Sequence, residues 1–129
     1  MRTVVRFRTG GGDYAVPVEH ARGVRDATGL RTLPAPLPGV AGVLPGEAAA
    51  LTVLDVLGCG GRHVLVLDPG GGEFGLLVDA VTAVSDVAED AVGPAPAGQE
   101  GQLVSAVISV PGGLVLLVDP GVIAGRLAS

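Results

Sequence analysis

The sequence predicts an all-β domain. Three observations carry that expectation: short runs of Val, Leu and Ile, glycine and proline clusters between them, and a hairpin design that occurs twice. His63–Leu67 and Phe74–Val78 flank Asp68-Pro69-Gly70-Gly71-Gly72, a strong reverse-turn signal. Val104–Val110 and Leu114–Val118 flank Pro111-Gly112-Gly113 in the same way. Glycine (22) and proline (10) make about a quarter of the 129 residues, a level at which disorder competes with folding. The 48% hydrophobic content decides for folding, because it supplies the buried apolar surface that offsets ordering entropy.

The remaining elements follow in order. Val5 and Phe7 alternate with Arg6 and Arg8, as in a half-buried strand. Gly10-Gly11-Gly12-Asp13 turns the chain into Tyr14–Val18, where Tyr14, Val16 and Val18 share a face and Pro17 points to an edge strand or a bulge. Residues 26–38, with Pro34, Pro36 and Pro38, read as a long irregular connection. Val40–Leu44 and Leu51–Val56 are strand candidates, and Gly58-Cys59-Gly60-Gly61 is a short loop. Val81, Val84 and Val87 form an apolar series, and residues 93–102 read as a second loop. A short helix is expected near 120–127, with Asp119 as its N-cap and Pro120 at its first position. Val53-Leu54-Asp55, Leu77-Val78-Asp79 and Leu117-Val118-Asp119 each end an apolar run with aspartate, which reads as strand termination through turn amides.

Composition narrows the function. The net charge is −5, and the eight basic residues are all arginine and scattered, which disfavours nucleic-acid binding. Phe7, Tyr14 and Phe74 are too few to make a base-stacking platform. A single cysteine, Cys59, excludes an internal disulfide framework. No basic segment with an apolar run follows Met1, and the longest apolar runs fall far below the roughly 18 residues of a membrane span, so no membrane insertion is expected and a cytoplasmic setting is the default.

The catalytic inventory is thin. His20, His63 and Cys59 are the only such groups, and Cys59 four residues before His63 is a weak nucleophile–base pair with nothing marking an oxyanion hole. No cluster has metal-ligand spacing, and neither Gly10–Gly12 nor Gly70–Gly72 continues into a phosphate-binding helix. The expectation is a binding module, not an enzyme, with no metal and no cofactor; a Cys59/His63 site is the alternative from another class.

The order of motifs resembles that of CheW-like domains. Tyr14-Ala15-Val16-Pro17-Val18 followed by Ala21 and Val24 is similar to the family's opening hairpin, and Leu33-Pro34-Ala35-Pro36 then Gly42-Val43 to its Pro-containing loop. Leu51–Val56, Phe74–Val81 and Gly113–Asp119 resemble later family strands, so the likeness spans nearly the whole of a single domain, residues 1–129. The resemblance implies two small five-stranded β-barrel subdomains packed on a shared hydrophobic core, with a short C-terminal helix. It also implies a cytoplasmic adaptor whose partners are a chemoreceptor cytoplasmic tip and a histidine kinase regulatory domain. By position it places partner contacts at Ala21, Val24, Gly42 and Gly75. Glu47-Ala48 stands where family members commonly carry Arg-Gly, Thr52 where proline is usual, and Gly23 where Glu is frequent. An Arg-to-Glu exchange at an interface can cost several kcal/mol. The alternative is therefore a module of this frame that serves another two-component signalling system and has lost receptor coupling.

Overall fold

The computed structural model describes residues 1–32, 39–46, 49–57, 61–95 and 103–128, without the side chains of 126–128. The described strands are β1 (Arg2–Thr9), β2 (Gly12–Pro17), β3 (Ala21–Asp26), β4 (Val40–Leu44), β5 (Leu51–Leu54), β6 (His63–Leu67), β7 (Phe74–Val78), β8 (Ala80–Val87), β9 (Val92–Pro94), β10 (Val104–Val110) and β11 (Gly113–Val118). One helix, α1 (Pro120–Ala128), follows. The all-β expectation and the C-terminal helix are both met.

The strands form a six-stranded sheet, β8-β1-β2-β11-β10-β9, and a five-stranded sheet, β3-β6-β7-β5-β4. The second sheet is one continuous piece of chain, while the first is assembled from both ends around it. Most pairs are antiparallel hairpins; β11 with β2 and β5 with β7 are parallel. The resemblance implied two closed five-stranded barrels. The described ladders instead end at β8 and β9 in one sheet and at β3 and β4 in the other, so they do not close.

Period-two alternation explains the layering, because successive side chains on a strand point to opposite faces. On β6, Val64 and Val66 face the interior of the second sheet, while Leu65 and Leu67 face a core common to both sheets. On β7, Leu77 faces inward and Phe74, Leu76 and Val78 join the common core. In the first sheet, Val4, Ala15, Val115 and Leu117 fill its own interior, and Val5, Phe7, Val16 and Val118 meet the common core. Strands apolar on both faces therefore build three contiguous clusters. The shared core that the resemblance implied is present, flanked by one cluster inside each sheet.

Several local expectations change. Val18 belongs to a 3-10 turn, Val18–His20, and is 36% exposed, so the face shared by Tyr14 and Val16 ends before it. Pro17 marks neither an edge nor a bulge: β2 lies between β1 and β11, and Pro17 closes it beyond Tyr14 and Ala15, the two residues that β11 reaches. The fifth strand stops at Leu54 rather than Val56. Within 26–38, Asp26 caps a 3-10 turn at Ala27–Gly29, and Arg31 bridges Val43; residues 33–38 lie outside the described part. The 93–102 loop begins later than expected, because Val92–Pro94 pairs with β10, and residues 96–102 are not described.

The repeated aspartates share a backbone role. The N–H groups of Asp55, Asp79 and Asp119 donate to the carbonyls of Gly39, Arg8 and Leu103, each at 2.9 Å, tying every strand exit to another segment. Among the described residues, Asp119 also caps through its carboxylate, accepting from the Gly121 N–H at 2.9 Å and so starting α1, which sends Ile123 into the shared core. Asp119→Ala should cost about 1 kcal/mol, a fall of about 4 °C in Tm by circular dichroism.

Candidate partner-binding cleft

β3 is an edge strand whose residues from Arg22 to Asp26 are all exposed. Its inner edge pairs with β6, with an irregularity between Ala21 and Gly23. Beside it opens a cleft of about 640 Å³. Arg22, Val24 and Arg25 form one wall, Gly46, Ala49 and Ala50 the other, and Leu51 and Glu73 border it. Val24 is 49% exposed, one of few large apolar side chains left open to solvent.

The two arginines are held by backbone carbonyls. Arg22 Nη1 donates to the Glu19 carbonyl at 2.8 Å, and Arg25 Nη2 donates across the cleft to the Pro45 carbonyl at 3.0 Å. Neither forms a salt bridge among the described residues. At one end, the Asp68 carboxylate accepts from the Gly70 and Gly72 N–H groups at 2.8 and 3.3 Å. The Gly70 bond chiefly holds its pKa below the usual carboxylate value, aided by Gly72, Arg22 and His20 against desolvation. At the other end, the Thr28 hydroxyl and backbone N–H lower Asp26, with a smaller contribution from His63. Depressed carboxylate pKa values stabilise above the ordinary value and are lost only as acid protonates the group, so both turns persist through neutral pH.

The sequence-predicted site residues separate into groups. Val24 lies in the cleft; Ala21, at the start of the same strand, pairs with Leu67 and is half-buried against the shared core. Glu47 and Ala48 lie outside the described residues, but their neighbours Gly46 and Ala49 line the cleft wall. Gly42 and Gly75 are buried. A Cβ on Gly42 would strike the Arg31 carbonyl, and one on Gly75 would strike Val64 Cγ1, so both positions allow close packing inside the second sheet. Arg22 and Arg25, which also line the cleft, were not singled out from the sequence. Their strand, Ala-Arg-Gly-Val-Arg-Asp, lacks alternation because it buries no side chain fully, and its arginines passed as scattered charge.

Of the alternative thiol site, His63 opens β6 opposite Asp26 and Val78, and Cys59 lies outside the described residues. Among the described residues no three His, Cys, Asp or Glu groups are placed to hold a metal ion. No described helix is long and apolar enough to cross a membrane.

The CheW-like domain model matches residues 3–127. The chain belongs to the CheW-like domain family. The scaffolding protein TtCheW from Thermoanaerobacter tengcongensis has a similar crystal structure, with a TM-score of 0.80 over 92% of this chain and 88% of that one. The two are 16% identical, so that likeness concerns the fold alone. No curated protein matches the chain. The CheW-like frame supports an adaptor or scaffold role in chemotaxis.

Proposed function

We propose that the chain is a non-enzymatic cytoplasmic adaptor that joins a chemoreceptor's cytoplasmic tip to the regulatory domain of a histidine kinase. The observation that carries this reading is the cleft beside β3 in a CheW-like frame, where an exposed valine sits close to Arg22, a guanidinium not paired with a described carboxylate. An apolar anchor rimmed by charge is the composition of a partner contact: burial supplies affinity, and the charges set orientation and choice of partner. Ala21 and Val24 lie on the strand that presents this surface, and Glu47-Ala48 falls between residues of its far wall. Gly42 and Gly75 act behind it by holding the second sheet tightly packed.

The test is a titration of the purified chain against two probes, a receptor cytoplasmic fragment and the histidine kinase from the same organism. Saturable binding to both is expected, and binding to neither overturns the adaptor. Glu47 favours a second reading in which the frame serves a kinase without a receptor. On the adaptor reading the partner is matched to glutamate, so Glu47→Arg should weaken receptor binding about tenfold. If Glu47→Arg instead creates receptor binding that the parent lacks, the second reading holds.

A further inference from the structure

We infer that Arg25 is a positioning residue: its side chain fixes the wall of the cleft that the β4–β5 connection forms. The inference rests on the adaptor reading for its consequence and on separate geometry for its cause. Arg25 lies on β3 opposite Val64, yet its Nη2 reaches away from the β3–β6 pair to the Pro45 carbonyl, twenty positions along the chain, at 3.0 Å. Pro45 directly follows β4 and has no N–H with which to join a ladder. A Cβ on Gly46 would lie 2.6 Å from the Ala49 carbonyl and 3.9 Å from Arg25 Nη1, so Gly46 packs close against the Ala49 backbone and near the guanidinium.

The other tie on this side of the sheet lies further back, where Arg31 and Val43 exchange backbone hydrogen bonds at 2.9 Å. Beyond Leu44, Arg25 is the described side chain that joins the connection to β3. A planar, charged donor to a carbonyl suits this task, because the fork is preorganised and loses little freedom on bonding. The Val24 surface and the Gly46–Ala49 wall therefore keep a fixed separation before a partner arrives, which lowers the ordering cost of binding.

Arg25→Met keeps the apolar stem and removes the donor and the charge; Arg25→Lys restores a donor. Backbone order parameters of Gly46 and Ala49 in the free full chain should be about 0.85 in the parent, below about 0.6 in Arg25→Met, and partly recovered in Arg25→Lys. Affinity for the receptor fragment or the kinase should fall about fivefold in Arg25→Met, with the salt dependence of binding unchanged. Unchanged order parameters would overturn the inference. So would an affinity loss that disappears at high salt, which would make Arg25 a direct charge contact. Val24→Glu separates the two levels. If it weakens binding about thirtyfold while Arg25→Met binds like the parent, positioning fails and the cleft stands; if it too binds like the parent, the adaptor surface lies elsewhere and both fail.

Discussion

Gly75→Ala should lower stability by about 2 to 3 kcal/mol, seen as a fall of about 10 °C in Tm. The sign runs against intuition, since glycine inside a strand ordinarily costs about 0.5 to 1 kcal/mol relative to alanine. Gly75 sits within β7, paired in parallel with Val53 of β5 and antiparallel with Val66 of β6. A methyl group there would strike Val64 Cγ1 and stand 3.2 Å from both Leu51 Cδ2 and Val53 Cγ2. Val53 and Val64 have no exposed surface, so neither can swing outward, and β-branched side chains have few rotamers to try. The strands must separate instead, and a packed interior resists that. Because native stability is only about 5 to 15 kcal/mol, a larger residue such as valine should leave little folded protein. Affinity measured per folded molecule should stay at the parent value. An unchanged Tm with weakened binding would mean that position 75 touches a partner directly.

Val24→Glu should do the reverse. Its side chain is 49% exposed on an edge strand, so the change should move stability by less than about 0.5 kcal/mol. Seating a partner on this surface would then bury a carboxylate where an apolar group was matched, which costs about 2 kcal/mol or more. That is about a thirtyfold loss of affinity. Arg22 lies nearby in the same cleft wall and would recover part of the loss in a partner whose own groups left it unpaired. Val24→Ser, polar but uncharged, should lose less than the glutamate variant. Isothermal titration checks binding, and thermal unfolding of the same samples checks that the fold is intact.

These two positions show what the sequence could and could not convey. Hairpin β6–β7 was legible because its signal is local: Asp68 accepts from Gly70 and Gly72 at the turn, and apolar runs of equal length flank it. The helix start at Asp119 was legible for the same reason. The sheet order was not, because it depends on the parallel pairing of β2 with β11, joining Tyr14 to Leu116 across most of the chain, and no local pattern encodes that contact. Pro17 misled for a related reason, since a strand can be interior in its sheet while its last residue is paired on one side only, here with Val4 of β1 and with nothing on β11.

The site was legible only in part. Val24 was found through the family's motif order, whereas Arg22 and Arg25 acquire meaning only once β3 is an edge facing the β4–β5 connection. Gly42 and Gly75 drew notice as glycines at family positions. A glycine carries no sign of whether its missing Cβ makes room for a partner or for a neighbouring strand. In the fold, a Cβ at Gly75 would meet Val64 of the neighbouring strand, and one at Gly42 would meet the Arg31 carbonyl.

The central claim is that one small chain bridges two proteins, and co-sedimentation tests it most directly. Receptor cytoplasmic fragments assembled on vesicles are mixed with the histidine kinase, with and without the chain, and pelleted. Bridging predicts that the kinase enters the pellet in proportion to added chain, and that Val24→Glu prevents it. Kinase that stays in the supernatant at every concentration of the parent chain would contradict the claim.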